Sequence, residues 1–322
     1  ATYHPPLFYA ASGALASIGQ GFGLAREIGL KGLPFLSGFA LVVLAWALAL
    51  RLVPGEASVR RLALLFAALL PMNIYIAAYF TNEGFHAALA AAALVWAVDI
   101  LLREDFSLGR IAIFSVLVGL AVLTKFSGFL IAVPAGAALA LRMCVDERSV
   151  RSGRLAGLLA LVVPALAIAG WFYARNIEVF GDPFMGNWNF SEPGKVWWSE
   201  PGFHTPAYYL SFGASLTQPF LSSYQSFWDS LYSTLWGDGL LAGQGGIATR
   251  HVLWNYSLMA AGYVLAVPAT VLMCVGFVRG LGFAVNDFEQ RRRAVFALLA
   301  VVSLLCGFAV FWLTLSLPYF GQ

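Results

Sequence analysis

The stretch RIAIFSVLVGLAVLTKFSGFLIAVPAGAALALR, residues 110–142, decides the fold of this chain. It begins and ends with an arginine, and Lys125 is the only other charged residue in it. The apolar runs before and after Lys125 approach the length that an α-helix needs to cross the hydrocarbon core of a membrane. The stretch therefore predicts two membrane-spanning helices, 109–124 and 126–143, joined by a tight turn at Lys125.

The rest of the chain repeats this pattern of apolar runs and short charged clusters. Of the 322 residues, 60% are hydrophobic and 11% are charged, against roughly 25% charged in soluble globular proteins. Nothing alternates with the period of two that a membrane barrel strand would need. We therefore predict an all-α polytopic membrane protein with about eight spans, at 33–53, 61–79, 83–102, 109–124, 126–143, 155–175, 253–278 and 294–316.

Cysteine usage and charge argue against two other classes of site. Cys144, Cys274 and Cys306 lie in or at the ends of apolar runs, without the spacing of a disulfide framework or a cysteine metal site. The net charge of +3 is concentrated in short loops, and no RNA or DNA motif occurs. No nucleic-acid partner is predicted.

The distribution of basic residues predicts the orientation. Loops rich in lysine and arginine face the cytoplasm. Alternate loops of this chain hold 13 of its 19 basic residues, namely Arg51, Arg60, Arg61, Arg103, Arg110, Arg142, Arg148, Arg151, Arg154, Arg279, Arg291, Arg292 and Arg293. The turns at 81–83 and at Lys125 then face the opposite, extracytoplasmic side.

Four regions follow from these spans. Residues 1–32 form part of an extracytoplasmic loop, and their weak apolar run, 5–24, could cross the membrane or lie in its interface. Residues 33–175 form a six-helix transmembrane core, and 253–322 add two further spans. The extracytoplasmic segment 176–252 suits a lid at the headgroup level because it is rich in aromatic residues, among them Trp188, Trp197, Trp198, Trp228 and Trp236.

Lys125 is the first candidate for a functional residue. An ionisable residue in a tight turn at the membrane surface marks a site by default, and a lysine suits phosphate or carboxylate ligands. The alternative is that Lys125 extends to the lipid headgroups.

Glu83 and His86 lie one helical turn apart at the start of a predicted span. They could supply a general base or hold a divalent metal ion as a pair, although one such pair is a weak zinc signal. Equally, Glu83 could lie in the first turn of a helix that is capped by Thr81 or Asn82, where an acidic residue favours the helix dipole.

Arg175 and Asn176 end the sixth predicted span on the side away from the arginine-rich loops. The guanidinium fork suits an anionic headgroup or a pyrophosphate, whereas pairing with Glu178 or lipid is the plain alternative. His4 precedes a rigid Pro-Pro turn. Asp99 is better explained as the i, i+4 partner of Arg103 than as a proton relay.

Several short motifs, taken in order over about the first 185 residues, resemble the GT-C membrane glycosyltransferases, and within them the branch that contains protein O-mannosyltransferases and the aminoarabinose transferase of lipid A. The motifs are HPPLFY at 4–9, LPMN at 70–73, YFTNE at 79–83, GLAVLTKFS at 119–127, WFYARN at 171–176 and GDP at 181–183.

The resemblance implies a GT-C-like fold, with the run 5–24 as a juxtamembrane helix in the first outer loop. It implies an inverting enzyme of the bacterial inner (plasma) membrane with a periplasmic site, which moves a sugar from a polyprenyl-phosphate donor to a hydroxyl of a lipid, glycan or protein. By position, Lys125 and Arg175 are expected to contact the donor phosphate. The resemblance also implies that His4, Asn82, Glu83 and Asn176 line the cavity.

In the resembling family the catalytic Asp or Glu precedes the His-Pro-Pro element, so we expect that residue upstream of Ala1 and expect the sequence to be truncated at both ends. Two other interpretations stay open. The chain could be a non-catalytic membrane scaffold subunit of the same fold, or a transporter, which would bind its substrate near the midplane between repeated halves. A divalent metal remains an open cofactor, and membrane lipids are expected partners.

Overall fold

The computed structural model describes residues 5–145, 153–185, 205–219, 222–237, 256–286 and 289–316, and these residues form helices and connecting turns without any strand. The helices are α1 Leu7–Gly21, α2 Arg26–Leu52, α3 Ala57–Leu69, α4 Pro71–Ala78, α5 Asn82–Arg103, α6 Leu108–Thr124, α7 Phe129–Val145, α8 Arg154–Ala165, α9 Trp171–Phe180, α10 Pro206–Leu210, α11 Ala214–Thr217, α12 Phe227–Trp236, α13 Tyr256–Asn286 and α14 Gln290–Ser316.

Six helices of the described residues are long and apolar enough to cross a membrane: Arg26–Leu52, Asn82–Arg103, Phe126–Val145, Arg154–Phe180, Ser257–Val285 and Gln290–Leu315. A seventh span results if α3 and α4 are counted together, and α6 is an apolar helix of only 17 residues. The prediction of an all-α polytopic membrane protein is therefore confirmed, whereas the count of eight spans stays a prediction.

The weak apolar run 5–24 forms the short helix α1, which has 15 residues. Gly23 has a φ of 76°, and this left-handed residue ends α1 while the Leu24 N–H donates to the Gly19 carbonyl at 3.0 Å. The chain then reverses, and α2 begins at Arg26 rather than at the predicted 33. A Cβ atom on Gly29 would lie 2.6 Å from the Cα atom of Ala16, so α1 and α2 approach closely.

The predicted span 61–79 is broken at Leu70, between α3 and α4, which meet at an angle of 45°. The cause is Pro71, which has no N–H to donate to the carbonyl of Ala67 in the preceding turn. The side-chain amide of Asn73 donates to that carbonyl instead, at 3.1 Å. The expectation of one continuous helix is wrong here because a proline starts a new one.

A second irregularity lies in the sixth predicted span, where α8 continues through a π-helical turn, Leu166–Gly170, into α9. Pro164 precedes this turn. The backbone N–H of Ala165 donates to the Ser115 hydroxyl of α6 at 3.0 Å. The contact between the helices is close, because a Cβ atom on Gly119 would lie 3.0 Å from both Ala165 and Ile168.

The chain divides into two compact units. Unit 1 comprises Ala1–Leu69, Asn73–Phe190 and Leu281–Val302, and unit 2 comprises Leu70–Met72, Ser191–Gly280 and Ser303–Gln322. In unit 1, α5 is the central helix and packs against α2, α6 and α7. Its buried face is lined by small residues, which allow helices to approach closely in a membrane; they include Ala88, Ala90, Ala93 and Ala97.

One end of unit 1 collects arginines around the carboxylates of Asp99, Glu104 and Asp105. Asp99 of α5, 4% exposed, accepts from Arg51, Arg103 and Arg110. Glu104 pairs with Arg142 and Arg291, at 2.7 Å in each case. The expected i, i+4 pair of Asp99 with Arg103 is confirmed at 3.0 Å, but the two further guanidiniums come from other helices and were not predicted. We call this the arginine end.

Unit 2 contains the described part of the aromatic-rich segment. Trp228 of α12 donates to the Tyr209 carbonyl of α10 at 2.8 Å, and α11 and α12 are joined by Asp229, which is 1% exposed. Its carboxylate accepts from the N–H groups of Gly213 and Ser215 and from the hydroxyls of Ser215 and Ser226. Trp236 donates to the hydroxyl of Thr270 in α13 at 2.7 Å. Burial raises the pKa of Tyr208 to about 12, so this phenol stays neutral at physiological pH.

Candidate functional site

The predicted site residues of α5 meet the turn between α6 and α7. Thr81 caps α5 by accepting from the Glu83 N–H at 3.4 Å, so the predicted cap is confirmed. Glu83, in the first turn, is in turn bound to Lys125, with Oε1 2.5 Å from Nζ. Asn82 donates to the Thr124 carbonyl at 3.5 Å. The structure thus brings Asn82, Glu83 and Lys125 together, although 42 residues separate the two ionic partners.

The ion pair is accessible. The Lys125 side chain is 30% exposed and that of Glu83 is 47% exposed. An ion pair that is open to solvent contributes little to stability, typically under about 1 kcal/mol. Lys125 therefore contacts Glu83 and is still accessible to an anion.

His86 lies one turn further along α5 and is held by two contacts. Its Nδ1 is 3.2 Å from the Ala121 carbonyl, which can only accept, so Nδ1 carries a proton. Its Nε2 lies 3.1 Å from the Ser127 hydroxyl, which donates to it when the ring is neutral. Both ring nitrogens are thus engaged within the protein, while Glu83 is directed at Lys125. This arrangement does not support a Glu83–His86 metal pair.

Arg175 and Asn176 reach the same turn through the segment that follows α9. Asn176, 1% exposed, donates to the Pro183 carbonyl at 3.2 Å. Arg175 donates to the Asn176 side-chain oxygen at 3.3 Å and lies over the ring of Phe180, with its guanidinium carbon 5.8 Å from the ring centroid. The neighbouring Asp182 accepts from the Phe184 N–H at 2.7 Å and so stabilises a tight turn.

Phe184 connects this turn to the residues after Lys125. Its ring lies 6.3 Å from that of Phe126, 5.6 Å from that of Phe129 and 5.8 Å from that of Tyr173. The Tyr173 hydroxyl donates to the Val122 carbonyl at 2.8 Å. Sequence reasoning did not identify Phe184, because an aromatic residue after a Gly-Asp-Pro turn carries no signal of the helix that it will contact.

The start of α1 belongs to the same end of unit 1. The ring of Phe8, 1% exposed, lies 5.1 Å from that of Phe80 and 6.4 Å from that of Phe85. Leu7 packs against the buried cluster that contains Val122. His4, the remaining predicted site residue, lies outside the described residues.

An apolar cavity of about 350 Å³ lies between α6, α7 and α9 in unit 1. Val118, Gly119 and the π-helical turn line its deeper part, and Phe129, Pro183 and Phe184 line the part next to the Lys125 turn. Its walls are almost entirely hydrocarbon and aromatic rings. Such a groove suits a hydrocarbon chain whose polar end projects toward Lys125.

The site and the arginine end lie at opposite ends of α6. Arg110 lies in the first turn of α6 and Lys125 directly follows its last residue, Thr124. A helix of this length is about 25 Å long at 1.5 Å per residue. The two charged residues of α6 and its C-terminal turn therefore lie at opposite ends of this helix, in agreement with the separation that the basic loops predicted.

The described residues contain no group of three or more His, Cys, Asp and Glu side chains that could hold a metal ion. Comparison with known proteins does not add a family: no family model matches this chain, and neither the curated proteins nor the solved structures gave a match. The interpretation of the site therefore rests on its residues.

Proposed function

We propose that this chain is a membrane glycosyltransferase that moves a sugar from a polyprenyl-phosphate donor to an acceptor hydroxyl on the extracytoplasmic side, with inversion at the anomeric carbon. The observation that carries the proposal is the position of Lys125. This accessible cation lies at the end of unit 1 opposite to the arginine end, beside an apolar groove. A polyprenyl phosphate combines the same two features, one anionic group and a long hydrocarbon chain.

In this proposal the chain's own residues bind the donor and stabilise the leaving group. The prenyl chain occupies the groove beside Phe129 and Phe184, which places the phosphate near Lys125. Negative charge develops on the phosphate as the bond to the sugar breaks, and the fixed charges of Lys125 and Arg175 stabilise it. Asn176 supports Arg175 through its side-chain oxygen. The acceptor is a lipid, a glycan or a protein.

The site is tested by measuring sugar transfer from a polyprenyl-phosphate donor in membranes that contain the full-length protein. Lys125→Ala and Arg175→Ala should each lower kcat/KM by about 100-fold, the effect of removing one group that stabilises transition-state charge. The matched controls are Lys31→Ala and Arg26→Ala. These exposed residues lie at the start of α2, away from the arginine end, so their loss removes the same charge from the same end of unit 1.

Transfer that stays within twofold of wild type in both Lys125→Ala and Arg175→Ala would contradict the phosphate site. If kcat/KM falls equally in the two controls, the effect comes from the net positive charge at this end of unit 1 and not from a phosphate site at Lys125 and Arg175. A protein that binds the donor without any transfer would favour the scaffold interpretation. A transporter is less compatible with the structure, because the charged residues of the described spans in unit 1 lie near helix ends and not at the midplane.

A further inference from the structure

The arginine end of unit 1 has an excess of positive charge within its own ion pairs. Five guanidiniums face three carboxylates there, which leaves two positive charges. The members are Arg51, Arg103, Arg110, Arg142 and Arg291 with Asp99, Glu104 and Asp105. Among the described residues, the cluster thus carries a net positive charge that suits an anion.

A pocket of about 280 Å³ opens beside this cluster. Arg51, Arg292 and Glu289 provide its charged groups. The remaining walls are apolar and come from three helices and the turn after α2; they are formed by Leu52, Pro54, Leu102, Val295 and Phe296. The pocket therefore combines guanidiniums and hydrocarbon walls at the end of membrane-spanning helices.

We propose that this pocket binds the phosphate group of an anionic phospholipid, with the glycerol and the first methylenes of the acyl chains against Val295 and Phe296. Basic pockets between transmembrane helices on the cytoplasmic side are suited to anionic lipid headgroups. Arg51 is already oriented, because it donates to Asp99 at 2.7 Å and to the Ala47 carbonyl at 2.8 Å. The bound lipid joins the end of α2 to the start of α14.

The apolar walls distinguish a lipid from a soluble anion. A free phosphate would use only the guanidiniums and would leave the hydrocarbon surface next to them in water, which is unfavourable. A lipid phosphate covers that surface with its own chain. The proposal does not depend on the glycosyltransferase function, since the pocket lies at the opposite end of unit 1 from Lys125.

The experiment measures lipid binding to the purified full-length protein in detergent by native mass spectrometry, with phosphatidylglycerol and the zwitterionic phosphatidylcholine as probes. Wild type should retain phosphatidylglycerol preferentially. Arg292→Gln should weaken this binding about fivefold, the effect expected for one cation near a lipid phosphate. Glu289→Gln removes the pocket's carboxylate and should tighten binding about fivefold, a gain that misfolding cannot produce.

Arg61→Gln is the matched control, because Arg61 is an exposed arginine of α3 in the same predicted cytoplasmic set and does not line the pocket. It should leave binding unchanged. Equal retention of the two lipids, equal losses in Arg61→Gln and Arg292→Gln, or weaker binding in Glu289→Gln would each overturn the proposal. Complete displacement of the lipid by inorganic phosphate at constant ionic strength would assign the pocket to free phosphate and would also overturn it.

Discussion

Glu83 has two opposing effects on the proposed donor phosphate. Its carboxylate holds the Lys125 ammonium in one place, and it also competes with any anion for that ammonium. Because both side chains are partly exposed, the pair adds little to stability. The competition should therefore dominate the measured effect when the carboxylate is neutralised.

Glu83→Gln should lower the KM for a polyprenyl-phosphate donor about fivefold, because it removes roughly 1 kcal/mol of repulsion between two nearby charges in a hydrated site. The measurement is steady-state transfer in membranes at constant ionic strength. Glu27→Gln is the control, since Glu27 is an exposed acidic residue at the start of α2, away from the arginine end. A KM that rises in Glu83→Gln would mean that Glu83 serves the site mainly by positioning Lys125.

Sequence reasoning identified the residues of this site but not their pairing. The cap by Thr81 and the position of Glu83 in the first turn are local features, so they were predictable from neighbouring residues. The contacts of Lys125 with Glu83 and of His86 with Ser127 join residues more than 40 positions apart. Hydropathy defines which segments are helices but contains no information about which helix ends will meet.

At the scale of elements, the buried carboxylate of Asp229 holds α11 and α12 together. Both of its oxygens accept from backbone N–H groups or hydroxyls, and the Gly213 N–H lies 3.2 Å from each of them. An asparagine in this position has no negative charge and keeps only one oxygen, so the donors of Gly213, Ser215 and Ser226 lose their hydrogen bonds to a carboxylate. Hydrogen bonds to a charged group contribute about 1.5–3 kcal/mol, against about 1 kcal/mol for neutral ones.

Asp229→Asn should therefore accelerate proteolysis of the segment 205–237 about 30-fold, as expected for a loss of roughly 2 kcal/mol when cleavage follows local opening. Limited proteolysis of the purified protein, read by mass spectrometry of the first fragments, measures this rate. Thr217→Ala in the same segment should be neutral, because Thr217 is exposed and its hydroxyl donates to the carbonyl of Gly213, the residue that precedes its own helix. Similar cleavage rates in wild type and Asp229→Asn would show that the carboxylate does not hold the segment.

The contact of α6 with α8 and the π-helical turn requires a glycine. A Cβ atom at position 119 would lie 3.0 Å from the backbone of Ala165, which cannot move without displacing α8. Gly119→Val should lower the melting temperature by several degrees, since overpacking costs about 1–3 kcal/mol. Gly136→Val in α7 is the control, because no heavy atom lies within 4 Å of its added Cβ. A smaller loss in Gly119→Val than in the control would contradict this close packing.

The two helix irregularities, at Pro71 and Pro164, show which parts of the helix boundaries could be predicted from the sequence. Pro71 and Pro164 are visible in the sequence, yet hydropathy continues across both. The first proline starts a new helix because Asn73 replaces the missing N–H, and the second precedes a π-helical turn that continues the same helix. Whether a proline ends the helix or not depends on which side chain binds the backbone carbonyl that the proline leaves without a donor. Such a partner is determined by the packing of the helices.

At the scale of the whole molecule, five of the 13 arginines that predicted the orientation lie together at one end of unit 1. The charge bias assigned these five arginines to one side of the membrane. In the structure Arg51, Arg103 and Arg110 pair with Asp99, whereas Arg142 and Arg291 pair with Glu104. Counting charges cannot reveal these carboxylates as their partners. The side of the membrane to which each end belongs stays a prediction that labelling can test.

Cys144 follows Arg142 at the end of α7 and is exposed, so it reports on the arginine end. In a protein with Cys274→Ser and Cys306→Ser, a membrane-impermeant maleimide should label Cys144 only in inverted membrane vesicles. If Cys144→Ser is added, Lys31→Cys at the start of α2 should be labelled in intact cells, because it lies at the end that the charge bias places outside. Labelling of both positions from the same side would contradict the prediction that the two ends of unit 1 face opposite sides of the membrane. Labelling of Cys144 in intact cells and of Lys31→Cys only in inverted vesicles would place the Lys125 site in the cytoplasm and exclude the proposed extracytoplasmic transfer.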